Sequence, residues 1–322
     1  MVITDIDTGP GYRIGLDVGG TKTLAVLVDP RGDVVDSVRG VTGWGADAVA
    51  ASILDAVARL RSQHELTSAT LAGVGIGMPG QIEPESGHIV HALNLGIDTL
   101  DVPLALGLDV PVAVENDVKA AALGAAALHG RHSSLAYLNL GTGIAAGIVV
   151  DGELLRGAGG AAGEVGHISI NPTGPVCRCG TRGCVEAYAG GAAVTSRWGN
   201  AGPLPVRDLF DAADLGDPRA LVIRSELHAA VAAAVRMLVL TADPATVVIG
   251  GGLAGLGERL LAPVREIVVE GAAGSPFLRS LRLDQRVELL PPASPAAALG
   301  AALLIPAPAG AGVQEPGRAG TG

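Results

Sequence analysis

The chain contains few aromatic residues and few cysteines. Phe, Trp and Tyr make up 2% of its 322 residues, although 48% are apolar, so its core has to be built from aliphatic side chains and alanine. Its three cysteines cannot all pair with one another. This excludes the disulfide framework of a small secreted domain and favours a reducing, cytoplasmic setting.

Clustered positive charge and long apolar runs are also missing. The chain has 22 Lys and Arg against 32 Asp and Glu, a net charge of −10, and no dense basic run. We therefore expect no nucleic-acid-binding surface. Arg236, Pro295 and Pro306 interrupt the alanine-rich stretches, so we expect no membrane span. Residues 1–11 lack the apolar core of a signal peptide and predict a flexible leader, and residues 306–322 predict a disordered tail.

Between these ends, strand-like and helix-like segments alternate, which is typical of α/β proteins. Two segments share the order strand, glycine turn, strand: one surrounds Gly19-Gly20, and the other surrounds Gly141-Thr142-Gly143. A third glycine turn, Gly250–Gly252, follows another apolar strand. The repeat predicts two similar lobes.

The predicted helices and lobe boundaries follow from this alternation. We expect a small α/β lobe over residues 12–117, with residues 296–305 returning to it, and a large α/β lobe over residues 118–295. Apolar residues at helical spacing predict helices between the strands. These helices are Ala48–Arg61, Asp117–His129, Arg219–Leu240, Leu253–Val269 and Ala296–Ile305.

The turn Asp17-Val-Gly-Gly-Thr-Lys22 has the residues needed to bind a phosphate. Gly19 and Gly20 allow the backbone to approach closely, Thr21 adds a hydroxyl, and Asp17 could hold a hydrated Mg²⁺. The glycine spacing fits neither a Walker loop nor a dinucleotide-binding fingerprint. An ordinary β-hairpin is the alternative, and the second glycine turn favours phosphate binding.

The sequence Glu115-Asn116-Asp117 ends a short strand and begins a helix. Asp117 could simply be the residue that caps this helix. It could also be a general base that accepts a hydroxyl proton while that oxygen attacks phosphorus. The sequence alone leaves both interpretations open.

All cysteines lie within eight positions, close behind a histidine. Their Cys-x-Cys…Cys spacing indicates a structural zinc site with four ligands. The predicted ligands are His167, Cys177, Cys179 and Cys184. Glu164 and Glu186 flank this set and are either surface charges or, as we expect, ligands for the hydroxyl groups of a small molecule.

Several of these motifs together resemble one known family. In chain order they are Asp17–Lys22, Gly77-Met-Pro-Gly80, Glu115–Asp117, Leu140–Gly143, Glu164–His167 and Cys177–Glu186. The chain from about Arg13 to Ile305 resembles the ROK family (repressors, open reading frames and sugar kinases), most closely its bacterial glucokinases. The resemblance implies a two-lobed actin-like ATPase (ribonuclease H-like) fold with the active site in the cleft between the lobes.

The same resemblance implies an activity and roles for individual residues. It implies ATP-dependent phosphorylation of a hexose 6-hydroxyl, with glucose as the expected hexose in glycolysis, and with ATP, Mg²⁺ and structural Zn²⁺. Asp117 would be the catalytic base. The implied sugar ligands are Asn94, Asn116, Asp117, Glu164, His167 and Glu186. The implied nucleotide contacts are Asp17, Gly19, Gly20, Thr21, Lys22, Gly141, Thr142, Gly143, Gly251 and Gly252.

Two further points come from the resemblance. His167 would bind zinc with one ring nitrogen and the sugar with the other, which would fix its tautomer and orientation. Where the family commonly has more glycines after Gly143, this chain has Ala145 and Ala146. Their methyl groups would narrow the space for phosphate beside the second glycine turn. Ile97 stands where an aromatic residue is frequent, and Lys119 where asparagine is common.

Other substrates and another function class remain open at this level. The sugar could be fructose, mannose or an N-acetylated amino sugar, and the donor could be polyphosphate. A sugar-sensing regulator of the same family would carry a winged-helix segment before the first glycine turn, where this chain has only about sixteen residues. The family resemblance also predicts a homo-oligomer, either a dimer or a tetramer.

Overall fold

The computed structural model describes residues 11–83, 85–130, 134–199 and 202–307. The chain divides into two compact units. Unit 1 contains the chain up to Asp117 and again from Ala298 onwards, and unit 2 is Val118–Ala297. Apart from Gly11, Pro306 and Ala307, the predicted leader and tail lie outside the described residues.

The elements of both units are numbered along the chain. The strands are β1 Tyr12–Val18, β2 Lys22–Val28, β3 Val34–Val41, β4 Leu71–Met78, β5 Gln81–Glu83, β6 His88–Ala92, β7 Ile97–Asp101, β8 Val112–Asn116, β9 Leu135–Leu140, β10 Ile144–Val150, β11 Glu153–Leu154, β12 Thr246–Gly250 and β13 Val287–Leu289. The α-helices are α1 Ala46–Gln63, α2 Val102–Leu106, α3 Asp117–Leu128, α4 Val185–Ala189, α5 Gly191–Trp198, α6 Pro205–Asp214, α7 Pro218–Ala242, α8 Glu258–Ala272, α9 Pro276–Ser280 and α10 Ala296–Leu303.

Each unit contains a five-stranded sheet with the same pattern of pairing. The order is β3-β2-β1-β4-β8 in unit 1 and β11-β10-β9-β12-β13 in unit 2. In unit 1, β1, β4 and β8 are parallel, and β2 and β3 continue the sheet antiparallel to their neighbours. In unit 2, β9, β12 and β13 are parallel, and β10 and β11 are added in the antiparallel sense. The repeat predicted from the glycine turns is therefore confirmed.

Helix α10 packs against the sheet of unit 1 at the distance of backbone contact. A Cβ atom at Gly15 would lie 2.0 Å from the carbonyl oxygen of Ala298, and one at Gly75 would lie 1.7 Å from that of Ala301. No side chain fits at such distances, so these strand positions have to be glycine. The alanines of α10 provide the matching flat surface on the helix.

Four of the five predicted helices are confirmed as α1, α3, α7 and α10, with ends that differ by at most two residues. The prediction of one continuous helix over Leu253–Val269 is wrong. The chain forms a 3₁₀ turn over Gly252–Leu256, and α8 begins only after Gly257. Gly257 has φ +62°, a left-handed conformation that interrupts a right-handed helix.

Helix α7 is, among the residues that the structure describes, the one helix long and apolar enough by length and composition to cross a membrane. Half of its apolar window is buried inside the protein, and the buried residues include Leu227, Val231 and Val235. They belong to the main apolar core of unit 2. A central core helix has the same length and composition as a membrane span, so these features alone do not indicate one.

Candidate functional site

In unit 1, the polar residues of interest lie at the carboxyl ends of three parallel strands. Asp17 is near the end of β1, and Glu115 is near the end of β8. Both pair in register with Gly77 of β4, the strand between them. Asp117 begins α3 directly after β8. Because parallel strands end at the same edge of a sheet, Asp17, Asn116 and Asp117 share this edge.

The two aspartates of this edge influence each other electrostatically. Burial, and to a smaller extent the negative charge of Asp117, raise the pKa of Asp17 to about 6. A carboxyl group with a raised pKa marks a position where an added positive charge is stabilised. Carboxylate oxygens are also the protein ligands that Mg²⁺ prefers. The donor chemistry of this edge therefore fits a divalent cation.

The first glycine turn contacts the segment that carries Asn94. The Gly19 N–H donates a hydrogen bond to the Lys22 carbonyl at 3.0 Å and closes the turn. A Cβ atom at Gly20 would lie 2.9 Å from the carbonyl oxygen of Asn94, so only glycine fits. Thr21, Lys22 and Asn94 are exposed. The predicted ligands of unit 1 thus surround a single sheet edge.

In unit 2, the second glycine turn is held by its own backbone and by the start of α5. The Gly141 N–H donates to the Gly143 carbonyl at 3.1 Å. The N–H groups of Gly191 and Ala192, at the start of α5, donate to the carbonyls of Gly141 and Thr142 at 2.9 and 3.1 Å. The sequence did not predict α5 or this contact, which fixes the turn in place.

The third glycine turn lies beside the second because their strands are neighbours. Gly250 at the end of β12 pairs with Asn139 of β9. Gly251 has φ +83°, and a Cβ atom there would lie 2.6 Å from the Leu140 carbonyl. Gly250, Gly251 and Gly252 line a cavity of about 320 Å³ together with residues 290–294.

The segment that carries Glu164 and His167 lies flat against β10. Cβ atoms at Gly163 and Gly166 would lie 1.8 and 2.0 Å from the carbonyl oxygens of Ala146 and Ile144. The glycines before and after Glu164 are therefore required for this close packing. Glu164 and His167 are both exposed.

The positions that depart from the family pattern lie outside the glycine turns. Ala145 and Ala146 belong to β10, where they pair with Asn139 and Leu138, beyond the residues that close the turn. Ile97 is buried in β7. Lys119 is buried in α3, and its ammonium group donates a hydrogen bond to the Gly160 carbonyl.

Glu186 is buried directly beside the second glycine turn. Its carboxylate accepts hydrogen bonds from the Ile144 N–H at 2.8 Å and from Arg178 Nε at 2.9 Å. A Cβ atom at Gly143 would lie 2.5 Å from Glu186 Oε2 and 2.9 Å from Arg178 Nη2. Arg178, which forms an ion pair with Glu186 here, is not among the residues predicted from the sequence. The only signal for it was its place between two cysteines.

The four predicted metal ligands converge in unit 2. The ligand atoms of His167, Cys177, Cys179 and Cys184 all lie within 4.8 Å of one another. The sulfurs of Cys179 and Cys184 are 3.7 Å apart, and Cys177 Sγ is 3.8 Å from His167 Nδ1. Tetrahedral zinc with Zn–S bonds of about 2.3 Å separates its sulfur ligands by about 3.8 Å. Donor types and spacing therefore fit zinc.

The thiols of this cluster differ in how readily they lose a proton. Burial raises the pKa of the Cys177 thiol to about 11, whereas hydrogen bonds, first from the Thr181 hydroxyl, lower the pKa of Cys179 to about 6. Metals bind thiolates, so a metal entering this cluster has to displace the Cys177 proton.

The raised pKa of Asp17 predicts a pH-dependent stability difference in Mg²⁺-free protein. The folded chain holds this proton more tightly than the unfolded chain, so ionisation of Asp17 costs stability as the pH rises from about 4 through about 6. Asp17→Asn removes that cost and should raise the free energy of unfolding at pH 7.5 by up to ~3 kcal/mol. Below pH 4 it should have little effect. Urea unfolding of the wild type and of Asp17→Asn, at pH 7.5 and below pH 4, measures this difference in the free energy of unfolding.

A matched control is Asp109→Asn, since the Arg61 guanidinium lowers the pKa of Asp109. This variant should instead lose stability at pH 7.5. If the difference between Asp17→Asn and the wild type were the same at both pH values, the assignment of a raised pKa to Asp17 would be wrong.

Comparison with known proteins places the chain in a family. Residues 13–307 match the ROK family. The glucokinase of Thermotoga maritima is 36% identical over 281 residues, which are 80% of this chain and 87% of that protein. The ROK hexokinase of Thermus thermophilus has a TM-score of 0.73 and 32% identity, covering 91% of this chain and 97% of that one. A ROK glucokinase from Streptomyces griseus, solved with glucose and AMPPNP, has a TM-score of 0.72 and 29% identity, covering 92% and 99%. The chain therefore has the actin-like ATPase fold and belongs to the ROK family.

Proposed function

We propose that this protein is a hexose kinase that transfers the γ-phosphoryl group of ATP to the 6-hydroxyl of a hexose, with glucose as its main substrate. The observation that carries the proposal is the position of Asp117, beside the first glycine turn and near enough to Asp17 to raise its pKa. The glucokinase relative and the structure with bound glucose and AMPPNP support the same activity.

Asp117 is assigned as the general base. A carboxylate at the start of a helix is stabilised in its ionised form by the backbone amides there, and it can accept the proton of the attacking hydroxyl. Asp17 would hold hydrated Mg²⁺, which supplies positive charge to the phosphates of the nucleotide. Most of the rate enhancement in such a transfer comes from positioning and charge stabilisation.

The glycine turns are assigned to the nucleotide. Backbone N–H groups and small side chains allow a close approach of phosphate oxygens. The phosphate contacts would come from Gly19, Gly20, Thr21, Lys22, Gly141, Thr142 and Gly143. Gly251 and Gly252 line a cavity in unit 2 and are assigned to the adenosine.

The sugar hydroxyls are assigned to amide, carboxylate and imidazole groups. These groups belong to Asn94, Asn116, Glu164, His167 and Glu186, besides Asp117. The Nδ1 atom of His167 faces the cysteine cluster, so Nε2 is the nitrogen assigned to a hydroxyl. Sites that hydrogen-bond a hydroxyl group reject analogues that lack it.

The Cys₃His cluster is assigned to a structural zinc ion. Its ligand atoms all lie within 4.8 Å of one another, and a zinc ion with four protein ligands has no open position for substrate. Zinc would hold His167 and the knuckle over residues 177–184 in place, and the phosphoryl transfer would take place without direct involvement of this metal.

The assembly and cellular setting are also part of the proposal. We extend the family resemblance to a homo-oligomer, a dimer or a tetramer, working in the cytoplasm. Reduced cysteines and the acidic net charge suit that setting. Glucose 6-phosphate would enter glycolysis.

Asp117→Asn tests the assignment of the base. The amide cannot accept the hydroxyl proton, so kcat should fall by about 10³-fold or more while the sugar still binds. A coupled ADP-release assay with glucose, fructose, mannose and N-acetylmannosamine, comparing ATP with polyphosphate, measures both activity and preference. ATP with glucose should give the highest kcat/KM.

The matched control is Asp98→Asn, which carries the same change at an exposed position of unit 1 and should keep normal turnover. If Asp117→Asn retained turnover, Asp117 would not be the general base. No turnover of any hexose by the wild type would refute the proposed function.

The zinc assignment predicts one zinc ion per chain. Cys184→Ser should lose the metal and lower the thermal midpoint by several degrees, since the metal-binding free energy contributes to folding. Metal analysis and calorimetry of purified protein measure both quantities. Thr173→Val, which changes an exposed threonine that hydrogen-bonds Asn171 and contacts none of the four predicted ligands, should keep the metal. Full metal content in Cys184→Ser, or none in the wild type, would contradict the assignment.

A further inference from the structure

Arg178 joins the metal knuckle to the second glycine turn. Its Nε atom donates to Glu186 at 2.9 Å, and its Nη2 atom would be 2.9 Å from a Cβ at Gly143. Both neighbours of Arg178, Cys177 and Cys179, belong to the metal-binding cluster. The cluster therefore flanks the backbone of Arg178 on both sides, while 66% of its side chain remains exposed.

The buried carboxylate of Glu186 creates an electrostatic problem for the proposed kinase. Its Oε2 atom lies beside Gly143 and accepts the N–H of Ile144, the first residue of β10, so a negative charge lies directly against the turn that would receive phosphate. The triphosphate of ATP is also an anion. Repulsion between like charges is weakly screened beside a buried group, because little water surrounds it.

We propose that Arg178 is a positioning residue that neutralises Glu186 and thereby allows an anionic nucleotide phosphate to bind at the Gly141–Gly143 turn. The inference rests on the proposed function and assigns a nucleotide role to a residue of the knuckle. A cavity of about 230 Å³ contains Arg178, Glu186 and Thr142 in its wall, so the guanidinium borders open space beside the turn.

A purely structural role for Arg178 makes a different prediction. If Arg178 only held Glu186 in place for the sugar, its loss would weaken sugar binding and leave nucleotide affinity unchanged. If it compensates charge, its loss weakens nucleotide binding, and removing the Glu186 charge as well restores it. A double-mutant cycle separates these two roles.

The experiment measures the Kd of Mg²⁺–AMPPNP by calorimetry for the wild type and a set of variants. Arg178→Met should weaken binding by about tenfold, a modest factor because the guanidinium is largely exposed. Arg178→Lys keeps the charge and should stay within about threefold. Glu186→Gln should bind more tightly than the wild type. Arg178→Met combined with Glu186→Gln should return to within about threefold.

The matched control is Arg182→Met, which removes the same charge from the same knuckle, where Arg182 contacts the Gly174 carbonyl rather than Glu186. Its nucleotide affinity should equal that of the wild type. The thermal midpoint and zinc content of each variant establish that it is folded. If Arg178→Met fails to fold, Glu186→Gln against the wild type still gives the sign of the effect.

Two results would overturn the inference: wild-type affinity for AMPPNP in Arg178→Met, or weaker binding in Glu186→Gln than in the wild type. Neither of these two results would contradict the proposed function. The proposed function fails if the wild type binds AMPPNP but phosphorylates no hexose.

Discussion

The charge of Asp17 is held where water solvates it poorly, and the charge of Asp117 adds to the cost, so the pKa of Asp17 rises to about 6. Both positions follow from the sheet of unit 1, in which β1 and β8 run parallel on either side of β4. A protein that keeps two acidic groups at one sheet edge gives up stability there, which is typical of sites that bind cations or transfer protons. The other assignments in unit 1 depend on this pair.

In unit 2, glycines, the four predicted metal ligands and the guanidinium of Arg178 position the polar side chains of the candidate site. Gly163 and Gly166 bring the Glu164–His167 segment against β10, and the cysteine cluster can hold the far side of His167. Glu186 accepts the Ile144 N–H beside the second glycine turn and forms an ion pair with Arg178. In the proposed kinase the knuckle would therefore have two roles, since it would order the proposed sugar ligands and would also carry Arg178, which we propose makes the turn acceptable to phosphate.

The sequence predicted structure correctly where the pattern involves residues that are close together in the chain. Short apolar runs beside glycine turns predicted β1, β2, β9 and β10, and cysteine spacing predicted a cluster whose ligand atoms indeed converge. It failed where the outcome depends on distant contacts. The backbone conformation of Gly257 divides a predicted helix, the β5–β7 sheet depends on pairing between short segments, and the partner of Arg178 lies across a folded loop. The spacing of residues 177–186 does not show which of their charged side chains form an ion pair.

³¹P NMR of the wild-type protein with ATP, Mg²⁺ and glucose follows the proposed phosphoryl transfer itself. We expect a growing glucose 6-phosphate resonance matched one to one by ADP, because the proposed base Asp117 would direct the 6-hydroxyl rather than water to the γ-phosphorus. Release of inorganic phosphate without a sugar phosphate, or a phosphate on another hydroxyl, would contradict it.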